Sequence, residues 1–151
     1  MRVMAMRKPM GKVHWVFLLF IALVAVFAVM ALAPVVSEMR RPPYEVKAIR
    51  FMEHLRLNEF PEAAKLLDMQ SVPKEKQDPK KVLEERMPLW GTIEKVSLVE
   101  SIQSPADLKH PKANEGVRVD LHLQCYLGQG SAYVYLVPQD NDWVIVDYIL
   151  Q

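Results

Sequence analysis

An uninterrupted apolar run near the start of the chain limits the possible folds more than any other feature. Every residue from 15 to 36 is apolar or proline, and His14 is the only polar member of residues 13–33. As a helix those 21 residues would measure about 31 Å at ~1.5 Å per residue, the thickness of a bilayer's hydrocarbon layer. Ala31-Leu32-Ala33 has the small-x-small form of a signal-peptidase site. Two features argue against cleavage there. The apolar core of a secretory signal spans only about 7–15 residues, and Pro34 would stand directly after the cut, where it makes a poor substrate. No cysteine follows closely enough for a lipoprotein anchor. The expectation is an uncleaved transmembrane helix over residues 13–36.

Charge sets its direction. Residues 1–36 carry Arg2, Arg7, Lys8 and Lys12 and no acid, so this part holds +4 and the remainder −3. Basic residues stay on the cytoplasmic side, and Trp15 suits the inner interface. Arg40 and Arg41 beyond the run weaken the asymmetry without reversing it. The reading is a basic cytoplasmic tip (1–12), a single-pass helix in the cytoplasmic membrane (13–36), a linker (37–43) and a periplasmic or extracellular domain (44–151), with the lipid bilayer as the first partner. The run has no charged or amide side chain for an ion path. Ala22, Ala25 and Ala28 read as lipid-facing filler, because no small-xxx-small pair is present there. The acidic body has no Lys/Arg stripe, which excludes nucleic acid as a partner. Cys125, the only cysteine, rules out an intramolecular disulfide and any multi-cysteine metal site.

Beyond the linker the hydrophobic period is helical. Tyr44, Ala48, Phe51, Met52 and Leu55 share one face. Asn58-Glu59 breaks it, and Pro61 opens a second short helix over residues 61–69 that buries Ala64, Leu67 and Ala63. Asp78 caps a third helix, through Val82, Leu83 and Met87, that ends at Pro88 and Gly91. The period then becomes two. A first strand, 92–102, places Val96, Leu98 and Ile102 together. A second carries Val117, Val119, Leu121, Leu123, Cys125 and Leu127 on one side, and Arg118, Asp120, His122, Gln124 and Tyr126 on the other. Gly128-Gln129-Gly130 reads as a turn, and strands 131–138 and 143–150 flank the turn 139–142. The fold class expected is α+β: after the transmembrane helix, three helices packed on a curved four-stranded antiparallel sheet.

Residues 51–68 (FMEHLRLNEFPEAAKLLD) and 141–150 (NDWVIVDYIL) give this layout its resemblance to the nuclear transport factor 2-like superfamily of cone-shaped α+β domains. The first resembles the long helix, polar break and short helix that open such domains; the second resembles their closing strand. The resemblance covers residues 44–151. It implies a helical lid over a concave sheet. Polyketide cyclases and ketosteroid-isomerase relatives share that fold and keep an acid or an Asp–His pair inside the cone, but a shared fold does not carry the chemistry across. Anchor plus domain is also similar to small bacterial envelope proteins and to the inner-membrane assembly subunit of type IV secretion systems.

The candidate chemistry is sparse. Asp120 and His122 point the same way and are suited to general-base work; the competing reading is a solvated sheet row with Arg118 and Gln124. His54 and His110 fit no metal spacing, so no metal and no cofactor is expected. Gly128-x-Gly130 joins strands and does not open a phosphate-binding helix. Cys125 reads as a small core residue. Asp147, grouped by alternation with Trp143, Ile145 and Ile149, is either a solvent-reaching acid or a buried group needing a donor. Tyr126, Tyr133, Tyr135 and Tyr148 serve either as a contact surface or as core filling.

The function expected is a membrane-anchored, non-enzymatic interaction or assembly module, whose partner is another envelope protein or a second copy. The alternatives are a small apolar ligand held in the cone by Phe51, Leu55, Val96 and Leu123, and a lyase- or isomerase-type enzyme using Asp120 and His122 or Asp147.

Overall fold

The computed structural model describes residues 18–28, 30 and 41–151, and the chain divides into two units, Met1–Arg41 and Pro42–Gln151. In the first, residues 18–28 are helical. Among the described residues no helix is long and apolar enough to cross a membrane. The tip 1–12, both ends of the expected span 13–36, and linker residues 37–40 lie outside them.

The second unit opens with α1, Pro43–Arg56. The linker expected to reach residue 43 thus stops one residue short, because Pro43 sits at the first helical position, where its fixed φ suits the helix. Ala48, Phe51, Met52 and Leu55 are buried as their spacing requires. Asn58 ends the helix in the left-handed region (φ 59°), and Glu59 N–H reaches back to His54 O at 2.8 Å, satisfying a terminal carbonyl. The second helix, α2, covers only Phe60–Lys65. Ala63 is fully buried and Ala64 only half-buried, the reverse of the emphasis expected. Leu67 leaves the helix to pair with Ile145, and this bridge shortens α2. Asp78 caps α3, Pro79–Trp90, accepting from Lys80 N and Lys81 N. Pro88 lies inside α3 and does not end it. It falls in the last turn, where only one ladder bond is lost, and Gly91 at φ 69° closes the helix with its N–H on Met87 O at 2.7 Å.

Strands β1 (Ile93–Gln103), β2 (Val117–Cys125), β3 (Gly128–Gln139) and β4 (Asp142–Leu150) form one antiparallel sheet in the order β1-β2-β3-β4. The main core lies between its inner face and the helices. β2 alternates as expected. Three features of its neighbours do not.

A bulge between Leu98 and Glu100 reverses the parity of β1. Ser101, opposite Val119, therefore faces α1 and donates to Glu45 at 2.8 Å. Ile102 falls opposite Arg118, away from Val96 and Leu98. Such an extra residue is invisible to a period-two reading.

The β2–β3 turn consists of Tyr126 and Leu127, with Cys125 already paired to Gly128. The two glycines expected in the turn belong to β3, because the N–H groups of Tyr126 and Leu127 pair with Thr92 O and Trp90 O.

A bulge at Val146 re-sorts β4. Ile145 and Tyr148 face the helix core, while Val146 joins the outer cluster and Asp147 pairs with Tyr135. Asp147 is therefore parted from Trp143 and Ile145. The β3–β4 turn is as expected: Asp140 (φ 49°) and Asn141 (φ 65°) adopt the left-handed pair that a tight hairpin requires. The outer face is partly covered by the 104–116 loop, through Leu108 against Tyr135, Val137 and Val146.

Candidate functional site

The helices and the inner sheet face meet through apolar side chains. Phe51, Leu55 and Leu123 have zero exposure, Val96 packs half-buried against the same core, and the small hollow that reaches Leu55 between the ends of α1 and α3 holds only about 10 Å³. The Phe51 ring meets Tyr148 edge-on, centroids 4.9 Å apart. These four residues, expected to hold a small apolar ligand, pack with the helix-facing core.

The polar side chains gather on the outer sheet face. Arg118 and Asp120 are two apart on β2, so alternation puts them side by side, with Nε–Oδ1 at 2.8 Å and Nη2–Oδ2 at 3.0 Å. Arg118 also reaches Asp107 at 3.3 Å and lies 5.2 Å from the Tyr133 ring centre. Tyr135 donates to Asp107 at 2.5 Å. That hydrogen bond holds the Asp107 carboxyl below its ordinary range, and burial followed by the Asp107 bond pushes the Tyr135 phenol up. Asp120 is 8% exposed, so the solvated row expected for it is wrong: a bidentate arginine makes the burial tolerable. This commitment also takes Asp120 away from His122, which stands opposite Ser97 and Ser131. The alternative of an Asp120–His122 dyad is not assembled.

A cleft of about 320 Å³ opens between the segment after α2 and the 104–116 loop. Ser71, Asp107, His110 and Asp147 line it over Leu108 and Val146. Asp147 is a part-buried acid with its donor present: Lys76 Nζ lies 2.6 Å away. Tyr148 donates to Lys76 O at 2.7 Å, which fixes that lysine's backbone. His110 is half-buried here.

Ser71, His110 and Asp68 resemble a nucleophilic triad in composition only. Lys112 N–H donates to His110 Nδ1 at 3.1 Å. A backbone amide can only donate, so Nδ1 carries the lone pair and Nε2 the proton. Nε2 therefore donates to Ser71 Oγ at 3.3 Å, and the hydroxyl donates to Asp68 at 2.6 Å. The imidazole offers no lone pair to the serine, so the arrangement cannot activate it as a base would. Cys125 is buried, and burial followed by the charge of Glu94 raises its thiol pKa, the opposite of an activated nucleophile. Among the described residues no group of three or more His, Cys, Asp or Glu could hold a metal ion.

The four tyrosines do not share a surface. Tyr148 is fully buried under α1 and Tyr135 is buried on the outer face; the Val146 bulge and the strand alternation separate them. Tyr133 is half-buried beside Arg118. Only Tyr126 is open, at 73%, next to Leu127 at 60%. Both sit against the end of α3, where Leu89 is 68% exposed; a methyl on Gly91 would lie 3.2 Å from the Tyr126 and Leu127 side chains. Tyr126 and Leu127 make an exposed apolar turn, with Leu89 exposed nearby in α3. The roles of Ser71, Lys76 and Asp107 carried no sequence signal: Ser71 and His110 are 39 positions apart and meet only through the fold.

No protein-family model matches this chain, and no curated protein does. Among solved structures, the chain is similar to a scytalone dehydratase-like protein from Novosphingobium aromaticivorans DSM 12444, with 18% identity over 77% of this chain and 84% of that one, at a TM-score of 0.38.

Proposed function

We propose that the chain is a membrane-tethered, non-enzymatic module that associates with a second copy of itself through the apolar end of its α+β domain. In this reading residues 13–36 hold the domain at the outer face of the cytoplasmic membrane, and the domain is a nuclear transport factor 2-like cone whose interior has been given over to packing. Helix, Asn58 break, short helix and closing strand support that family reading. The filled interior and the pairing of Asp120 with Arg118 speak against the ligand-pocket and enzyme readings.

The observation that carries the proposal is the exposure of Tyr126 and Leu127 on a turn whose N–H groups are held by Thr92 O and Trp90 O, with Leu89 exposed one residue before Trp90. Large apolar side chains held rigidly in water mark contact sites. Two adjacent acid–base pairs, Glu85-Arg86 and Glu94-Lys95, lie beside them in sequence, and all four are exposed. A rim that alternates in sign is its own complement under a two-fold axis, which favours a second copy over a strongly charged partner. Tethering both copies in one membrane raises their effective concentration, so a modest contact suffices.

Oxidative crosslinking of full-length Leu127→Cys in native membranes tests the reading. Self-crosslinked dimers are expected from this variant and not from the wild type, whose Cys125 is buried. A crosslink to a different protein, or no crosslink at all, overturns the self-association.

A further inference from the structure

The bond pattern at His110 has a consequence beyond self-association. The ring ties two segments together. On one side it accepts the Lys112 amide and so shapes the 110–112 turn. On the other it donates to Ser71, which leans on Asp68, whose carboxylate also accepts Gln70 N at 3.1 Å. His110 and Ser71 both line the cleft, so this chain of bonds is a strap across its rim.

We propose that His110 is a proton-controlled latch on this cleft: the neutral ring holds both segments, and the protonated ring must release one. The argument is a count of donors and acceptors. Neutral imidazole has one of each, and both are used. Imidazolium has two donors and no acceptor, so a proton on Nδ1 meets the Lys112 N–H head-on. The Ser71 bond survives protonation, since Nε2–H is unchanged. The Lys112 bond does not.

The charged groups around the ring set where it goes. From its own loop these are Asp107, Lys109 and Lys112; from the facing segment Asp68, through Ser71; from β4 Asp147, already held by Lys76. Asp68 and Asp107 offer acceptors to the new N–H, and Lys109 and Lys112 oppose an added positive charge. The ring turns from the Lys112 amide toward the carboxylates and the 110–112 turn loosens. Histidine ordinarily changes charge between about pH 5 and pH 8.

Nitrogen-15 NMR of the full-length chain in mild detergent, with histidine and lysine labelled, tests the latch; His110→Gln assigns the His110 signals. The expected result is an Nε2–H tautomer for His110 at high pH and a Lys112 amide shift that moves with the His110 midpoint. In His110→Gln the Lys112 shift should be flat with pH. In Ser71→Ala it should persist, since the Lys112 bond does not pass through the serine. An Nδ1–H tautomer, or a Lys112 amide that stays still while His110 titrates, overturns the proposal.

Discussion

The indole of Trp90 lies over Gly130 so closely that a Cβ on the glycine would stand 2.8 Å from two ring carbons. Trp90 is 6% exposed and closes the core where the last turn of α3 meets β3. The backbone that carries the ring is held in place, because Trp90 O accepts from Leu127 N at 2.8 Å. Gly130→Ala is therefore expected to destabilise the domain by about 1–3 kcal/mol, the usual cost of overpacking. Urea unfolding followed by tryptophan fluorescence reads this directly; an unchanged midpoint would show that the ring has room to move.

Tyr135 and Asp107 give the outer face a pH signature at both extremes. The Asp107 carboxyl titrates below its ordinary value when folded, so its contribution to stability is complete above about pH 4 and is lost as pH falls through the folded value. The Tyr135 phenol titrates above its ordinary value, so its contribution is present below about pH 10 and is lost as pH rises beyond it. Tyr135→Phe removes the hydrogen bond that holds Asp107 low and the phenol itself. It should lower stability at neutral pH by about 1 kcal/mol, the modest figure suited to a half-exposed acceptor. It should also flatten both limbs of a plot of urea midpoint against pH. Limbs as steep as in the wild type would mean that other groups set them, such as Asp142, held low by its hydrogen bond from Lys47, and Tyr148, raised by burial.

Arg118 and Asp120 are a part-buried pair whose value lies in mutual satisfaction. Asp120→Ala leaves the guanidinium with Asp107 and whatever water reaches its 24% exposed side chain. A cost of about 1–3 kcal/mol is expected, below that of breaking a fully buried pair. Replacing both partners by apolar residues, Arg118→Met with Asp120→Leu, should recover most of the loss, since no charge is then left unpaired. A double variant less stable than Asp120→Ala would show that the arginine's place over the Tyr133 ring matters in its own right.

The sequence was most legible where one periodicity ran without interruption. The α1 face of Ala48, Phe51, Met52 and Leu55 and the unbroken alternation of β2 were both recoverable from spacing. So were the Asp78 cap and the Asp140-Asn141 turn, because each is a local chemical device. Legibility failed where an inserted residue changed parity. The bulges at Val99 and Val146 exchange faces, and they moved Ile102 and Asp147 to positions that alternation assigns to others. It failed again where long-range pairing decided local structure, as when Leu67 left α2 to meet Ile145 and Trp90 O captured the hairpin. The cleft follows the same rule. Ser71, Asp107 and His110 come from loops whose sequences say only that they are polar, and the sheet between them brings them together.

The tether makes the most exposed prediction. Residues 13–33 are a hydrophobic stretch that as a helix would match the bilayer's hydrocarbon thickness, and the residue after Ala33 is proline. Burying some twenty apolar side chains in lipid favours retention overwhelmingly at roughly 25 cal/mol per Å² of apolar area. The mature polypeptide should therefore begin upstream of residue 34, remain in the membrane fraction through alkaline carbonate extraction, and expose the α+β domain to protease only on the outer side. Replacing Ala31 and Ala33 with bulky leucines should change neither its size nor its fractionation. An N-terminus at Pro34, or a wild-type chain smaller than this variant, would mean that the apolar run is a cleaved signal, and the self-association proposed for a tethered pair would lose the shared membrane that makes a weak contact sufficient.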